Sequence, residues 1–252
     1  MLYIQGVIKE KTILTPEIFG LWVSAPEISQ MVQPGQFVNV RVTQGCEPFL
    51  NRPFSVADTS GNAIYLVIKI VGQGTEILHH RRIGDKLGIL GPLGKPVKIP
   101  EQRKVLLVGG GVGLAPLYFL AKRIKNNNEL HLIMGAKRRP DLIMKKDFLK
   151  LTKNISIATE DGSSGTKGTA VTLLKRLLKK ESFDLIYTCG PRAMLIAIKD
   201  LHLKIPALAF IEDFLGCGCG ICLGCAIKVN NEYKRICTDG PVFDLRKVSF
   251  GN

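Results

Sequence analysis

Apolar and polar positions change their spacing twice along the chain. From Leu2 to about Val97 the apolar residues come in short runs rich in β-branched side chains, such as GQFVNVRV and NAIYLVIKIV, and Pro and Gly turns separate them at hairpin-like distances. Such runs predict strands, and their spacing predicts a small antiparallel barrel. From Lys98 to about Ala207 strands that are apolar along their whole length alternate with helical stretches. The strands are KVLLV, ELHLIM, NISIAT, DLIYTC and the run 207–211; the helices are LAPLYFLAKRIK, a segment around DLIMKKDFLKL, TAVTLLKRLLKK and RAMLIAIKDL. This alternation predicts a five-stranded parallel, doubly wound sheet covered on both faces. The expected fold class is multi-domain, β plus α/β: a barrel at residues 1–97, the α/β domain at 98–207, and a small cysteine-bearing domain at 208–252.

Composition adds an intracellular setting. The N-terminal MLYIQGVIKEKTIL has no basic region leading into a long apolar stretch, and no window approaches the ~20 apolar residues of a spanning helix. A soluble, cytoplasmic protein with no membrane span is expected. The formal charge of +14 raises nucleic acid as a partner, but its distribution argues otherwise. Residues 1–97 carry 9 basic and 7 acidic side chains, residues 98–207 carry 21 and 9, and residues 208–252 carry 5 and 5. The excess thus sits in the middle segment, on polar helix faces such as Lys175, Arg176, Lys179 and Lys180. The aromatic residues there, Tyr118, Phe119, Phe148, Phe183 and Tyr187, lie in apolar runs, so no stacking platform for bases is expected. A basic field also suits a dinucleotide or an acidic protein.

Seven cysteines occur in 252 residues, five of them between Cys217 and Cys237. Cys217, Cys222, Cys225 and Cys237 give C-x4-C-x2-C followed by a distant Cys, the spacing by which plant-type ferredoxins hold a [2Fe-2S] cluster. Gly216, Gly218, Gly220 and Gly224 supply the backbone freedom that a loop wrapped around a cluster needs. A zinc ribbon would need a second C-x2-C pair, and a [4Fe-4S] run beginning at Cys219 lacks its closing C-x3-C-P. Spacing alone leaves the first ligand open between Cys217 and Cys219. Either way, electron transfer is the leading reading.

Further motifs lie upstream. VLLVGGGVGLAPL runs from a strand through Gly109, Gly110, Gly111 and Gly113 into a helix, which allows a phosphate to approach backbone N–H groups at a helix N-terminus. It departs from G-x-G-x-x-G, because Leu114 stands where the last glycine would be. Cys189, Gly190 and Pro191 follow the fourth strand, at the carboxyl edge where open α/β sheets bind ligands. These seven residues form the candidate dinucleotide site, which the resemblance given below assigns to NAD. Earlier, Arg52-Pro53-Phe54-Ser55 begins a strand and Gly72-Gln73-Gly74-Thr75 precedes a helix-like stretch. An Arg fork suits a diphosphate, and a Gly-Thr pair at a helix start can donate to the same phosphates. The histidines, His79, His80, His131 and His202, form no nucleophile or metal arrangement, so no catalytic residue is expected.

In this order, RPFS, GQGT, GGGVGLAP and TCGP resemble the ferredoxin-reductase superfamily, in which a flavin barrel precedes a pyridine-nucleotide domain. With CGCGICLGC and CTDGPVF after them, essentially all of residues 1–252 resembles the electron-transfer subunits of B-type, NAD-dependent dihydroorotate dehydrogenases. The resemblance implies FAD at Arg52, Pro53, Phe54, Ser55, Gly74 and Thr75, with Val67, Ile68 and Lys69 as a third flavin-contacting stretch. It implies Cys217, Cys222, Cys225 and Cys237 as cluster ligands, with Cys219 a spare. It further implies passage of electrons between NAD(H), FAD and the cluster, to or from an FMN-bearing catalytic subunit that oxidises dihydroorotate to orotate in pyrimidine biosynthesis. That assembly would be a heterotetramer of two of each chain, with no dihydroorotate chemistry on this one.

Two departures stand out: Leu215 occupies a position usually held by Met, and Cys219 one usually aliphatic. The alternative is another FAD and [2Fe-2S] subunit, as in NADH-dependent ferredoxin:NADP oxidoreductase or a hydrogenase. The former typically has Asp at the first ligand position, where this chain has Cys217.

Overall fold

The computed structural model describes residues 1–45 and 47–251, which form two compact units. One comprises Met1–Val97, Glu212–Ile227 and Tyr233–Pro241; the other comprises Lys98–Ile211, Lys228–Glu232 and Val242–Asn252.

The first unit is built on six strands: β1 (Leu2–Thr15), β2 (Ile18–Ser24), β3 (Phe37–Arg41), β4 (Arg52–Ser60), β5 (Ala63–Lys69) and β6 (Lys86–Leu93). They close an antiparallel barrel in the order β1-β2-β5-β4-β3-β6, the architecture that the alternating runs predict. Period-two spacing fills its interior: Phe19, Leu21 and Val23 on β2, Val38 and Val40 on β3, Ile64, Leu66 and Ile68 on β5, and Leu87 and Ile89 on β6 are all buried. Closure leaves no unpaired edge for another chain to join. Two short helices, α1 (Pro26–Met31) and α2 (Gln73–His80), complete this stretch.

The second unit is a sheet made of β7 (Lys104–Gly110), β8 (Glu129–Ala136), β9 (Ile155–Thr159), β10 (Thr166–Lys167), β11 (Leu185–Cys189), β12 (Ala207–Phe210) and, later in the chain, β15 (Val242–Asp244). Its order is β10-β9-β8-β7-β11-β12-β15. The five predicted strands are β9-β8-β7-β11-β12, all parallel, with β7 at the centre. Val105, Leu106, Leu107 and Val108 have no exposed surface, as a central strand covered on both faces requires. Helices α3 (Leu114–Ile124), α4 (Lys145–Phe148), α5 (Ala170–Leu177) and α6 (Arg192–Lys199) follow successive strands.

Two features exceed the sequence expectation. The sheet gains an edge strand at each end: β10 is a parallel pair of residues, and β15 runs antiparallel to β12, pairing Phe210 with Val242 and Leu208 with Asp244. The helix expected around DLIMKKDFLKL shrinks to the single turn α4. Pro140 sits in a 3-10 turn over Arg139–Asp141, and Met144 at the cap has φ of 56°, so a left-handed residue separates the two turns.

The remaining elements are β13 (Ala226–Val229), β14 (Glu232–Arg235), α7 (Ile236–Asp239) and β16 (Val248–Ser249), with Lys228 and Val229 paired to Ser249 and Val248.

Candidate functional site

Within the barrel unit the two upstream motifs come together. Strand β4 opens with Arg52-Pro53-Phe54-Ser55, paired residue for residue with Val40, Asn39, Val38 and Phe37 of β3. Gly74, in the first turn of α2, lies against the Arg52 guanidinium: a methyl group there would sit 2.5 Å from Nε and 2.8 Å from Cζ. A glycine at this position is what lets the guanidinium lie over the helix start. The Arg52 Nη1 also donates to Leu50 O.

Thr75 is buried, and its hydroxyl is committed locally. It donates to Gly72 O at 2.8 Å and accepts from Val71 N at 2.9 Å, so the side chain shapes the turn and does not reach outward. The helical ladder begins with Glu76 N to Gly72 O, which leaves the main-chain N–H groups of Gln73, Gly74 and Thr75 ahead of it. An Arg fork beside a row of early-helix N–H donors is a diphosphate-binding arrangement. Of the third stretch, Val67 and Ile68 are buried, pairing with Gly20 and Phe19, while Lys69 is exposed 3.7 Å from Glu17.

In the sheet unit the glycine loop divides its tasks. Gly109 has no room for a side chain because Leu114 Cδ2 would be 2.4 Å away, so it serves the packing of β7 on α3. Gly110 lies under Met194 of α6. Gly113 is pressed against the TCGP segment: a methyl group would meet Cys189 O at 2.4 Å and Gly190 N at 2.7 Å. Gly111 alone faces open space, with φ of 56°. The starts of α3 and α6 therefore converge at the carboxyl end of β7 and β11, where Pro191 precedes α6. Cys189 is fully buried, so it presents its carbonyl, not its thiol, to the loop. Thr188 is fixed by a 3.0 Å bond from its hydroxyl to Val108 O.

The cysteines form two pairs in the barrel unit. Around the first, the amides of Cys219 and Cys222 each donate to Cys217 Sγ at 3.4 Å, and those of Cys217 and Gly224 donate to Cys222 Sγ at 3.5 Å. In the second, the sulfurs of Cys225 and Cys237 are 3.2 Å apart, and Cys237 N donates to Cys225 Sγ at 3.5 Å. Cys225 and Cys237 are buried, Cys217 is half-buried and Cys222 is exposed. Gly218 and Gly220, with φ of 74° and 90°, supply the left-handed residues of the loop.

Burial pushes the Cys217 thiol up, but the amide donors outweigh it and hold the group down to about 6. Burial and the Cys225 sulfur push Cys237 up to about 12. Among the described residues no three metal-ligating side chains gather at single-ion range. Two thiolate pairs suit a two-iron cluster, which takes two protein ligands on each iron, with amides directed at the sulfurs.

Hydrogen bonds that the motifs did not announce brace this loop from within and fasten it to the barrel. Arg235 Nη1 donates to Gly220 O at 3.0 Å, and Asp239 accepts from Arg235 N at 2.8 Å. Lys95 N donates to Gly240 O at 2.6 Å, and Gly94 packs on Pro241. Asn39 Nδ2 donates to Cys217 O at 3.2 Å. The available signal was the polar Asn39 inside the apolar run FVNVRV.

Residues 212–249 match the family described as the iron-sulfur cluster binding domain of dihydroorotate dehydrogenase B, and residues 107–200 match the oxidoreductase NAD-binding domain. The chain is 40% identical over 223 residues to the dihydroorotate dehydrogenase B (NAD(+)) electron transfer subunit of Caldanaerobacter subterraneus, covering 86% of this chain and 87% of that one. It is 34% identical over 245 residues to the subunit of the same name from Desulforamulus reducens, covering 93% and 94%. Among solved structures, that of NADH-dependent reduced ferredoxin-NADP oxidoreductase superposes with a TM-score of 0.90 at 31% identity, covering 97% of this chain and 89% of that one. A ferredoxin NADP+ reductase from Neisseria gonorrhoeae with bound FAD and NADP has the same fold, with a TM-score of 0.68 at 18% identity over 81% and 91%.

Proposed function

Because the chain belongs to the family of electron transfer subunits of dihydroorotate dehydrogenase B, we propose that it passes electrons between NAD(H), FAD and a [2Fe-2S] cluster, to or from a catalytic subunit that bears FMN and oxidises dihydroorotate to orotate. Bound FAD would supply the exchange between two-electron and one-electron chemistry. The observation that carries the reading is the fastening of two cysteine pairs onto the same barrel that brings Arg52 and Gly74 together.

Arg52 grips the FAD diphosphate with the first-turn amides of α2, while Pro53, Phe54, Ser55 and the backbone of Val67, Ile68 and Lys69 line the flavin. The open Gly111 admits the NAD diphosphate; Gly109, Gly110 and Gly113, with Cys189, Gly190 and Pro191, bring the two helix starts close to it. Cys217 and Cys222 hold one iron, Cys225 and Cys237 the other. On this assignment Arg52→Ala weakens FAD retention about ten- to a hundredfold, the scale of hydrogen bonds to a charged group. Flavin fluorescence released on dilution measures it, and unchanged affinity removes Arg52 from the site.

The partner docks at the exposed side of the loop. Phe214, Ile221 and Leu223 are exposed at 93%, 82% and 62%, around the exposed Cys222, in a segment where Cys217 and Cys219 are half-buried and Cys225 is buried. Large apolar side chains left in water mark a surface that another protein covers. The complex is a cytoplasmic heterotetramer with two copies of each chain. Among the described residues no helix is long and apolar enough to cross a membrane. Ile221→Asp with Leu223→Asp is expected to leave the visible spectrum intact and weaken association with the FMN subunit by tenfold or more, about the loss seen for interface anchors. Co-purification of an FMN-containing subunit with dihydroorotate activity tests the assignment of function; a stable partner without that activity contradicts it. The ferredoxin:NADP alternative has one supporting observation, the 0.90 superposition. A cysteine at position 217 favours the dihydroorotate reading.

A further inference from the structure

We propose that Asn39 is a positioning residue for the cluster: its buried amide ties the carbonyl of Cys217 to the barrel strand that pairs with Arg52–Ser55, and so sets the surroundings of the first ligand. This rests on the reading above that Cys217 binds iron.

Five observations meet at this side chain. Asn39 lies in the middle of β3, 1% exposed, between Val38 and Val40, both fully buried. A polar amide in such a strand is costly unless it is hydrogen-bonded. Its Nδ2 donates to Cys217 O at 3.2 Å, across 178 positions of sequence. Its ladder partner is Pro53, so one residue touches both the flavin-motif strand and the cysteine loop. The loop is shaped to receive it: a methyl group on Gly218 would lie 2.9 Å from Asn39 Nδ2, and Gly218 has φ of 74°. Meanwhile Asn39 Oδ1 is buried with no hydrogen-bond partner among the described residues. For a residue that only filled the barrel, Leu or Val would avoid that cost.

Donation to the Cys217 carbonyl acts in two ways. It fixes the backbone from which the Cys217 sulfur and the Cys219 amide project, and it draws electron density from the peptide adjoining a ligand. Hydrogen bonds around ligating cysteines are among the factors that set cluster potentials. Removing this donor should therefore alter the cluster without removing it.

The test uses the purified full-length chain, with flavin and acid-labile sulfide measured first. Wild-type protein lacking them would sink the functional reading, separately from this proposal. In flavin- and cluster-loaded protein, Asn39→Ala and Asn39→Asp are expected to keep both chromophores and change the electron paramagnetic resonance line shape. They should also shift the ratio of reduced to oxidised cluster at a fixed ambient potential roughly five- to tenfold, the scale of one hydrogen bond. The aspartate should shift it further, because a carboxylate cannot donate to a carbonyl and adds negative charge. A lower melting temperature with unchanged line shape and redox ratio would overturn the proposal, since that is what a purely structural role predicts. If the Asn39 variants do not fold, Gly218→Ala probes the same contact from the loop. It should reproduce the line-shape change, and a wild-type signal from it would overturn the proposal.

Discussion

Cys217→Ser is expected to give protein that keeps its flavin absorbance and loses its iron and acid-labile sulfide, whereas Cys219→Ser keeps all three. Two amides converge on Cys217 Sγ, from Cys219 and Cys222, and hydrogen bonding holds that thiol down, whereas burial and the neighbouring Cys217 sulfur push the Cys219 thiol up. The loop thus presents Cys217 as an acceptor and uses Cys219 as a donor. A serine at 217 offers a harder, far less acidic ligand in the same cradle and forfeits one of only four protein bonds to the cluster. At 219 the same change leaves the backbone amide untouched. The check is iron and sulfide content per flavin, with the visible spectrum of each variant. The reverse pattern would move the ligand to Cys219, and cluster retention in both variants would mean that either cysteine can serve.

The second large effect is expected at Gly113. Valine there would force its Cβ within 2.4 Å of Cys189 O and 2.7 Å of Gly190 N, two backbone positions that cannot rotate aside. The strand end and helix start must separate, which misplaces the N–H groups of both α3 and α6. Overpacking of this kind costs about 1–3 kcal/mol, so reduction of the protein by NADH should slow roughly ten- to a hundredfold. The FAD and cluster spectra should be unchanged, because Gly113 belongs to the sheet unit. Gly111→Ala provides the contrast. It meets no atoms, and its cost is the left-handed backbone, about 1–2 kcal/mol. Anaerobic stopped-flow with NADH measures both. A Gly113→Val protein reduced as fast as the wild type would show that the convergence of α3 and α6 does not form the nucleotide site.

Much of the architecture was legible because hydrophobic spacing is a local signal. Phe19, Leu21 and Val23 declare a barrel face, and Val105 to Val108 declare a strand buried on both sides. What escaped depends on contacts distant in sequence. Strand β15 is three residues long and exists only because β12 offers it an edge. The turn α4 is short because Met144 takes a left-handed conformation, which nothing in its composition announces.

The same division holds for the site. Motif glycines marked the nucleotide loop, yet their separate tasks, packing at Gly109 and Gly113 and open space at Gly111, became visible only from their neighbours. The Gly74-Thr75 pair was expected to donate to phosphate; the Thr75 hydroxyl closes its own turn through Gly72, which leaves the main-chain N–H groups for that task. Cysteine spacing pointed to the cluster but not to what holds it. Asn39, Lys95 and Arg235 act through hydrogen bonds to carbonyls of Cys217, Gly240 and Gly220, and a carbonyl leaves no trace in the identity of its residue.

The most direct test of the account is an anaerobic titration of the purified chain with NADH, followed by visible and electron paramagnetic resonance spectroscopy. The account predicts a yellow-brown protein whose flavin band bleaches and whose iron-sulfur signal then appears, characteristic of a reduced [2Fe-2S] cluster. A colourless protein without flavin, iron or acid-labile sulfide would contradict it, as would a flavin that bleaches while the cluster stays oxidised.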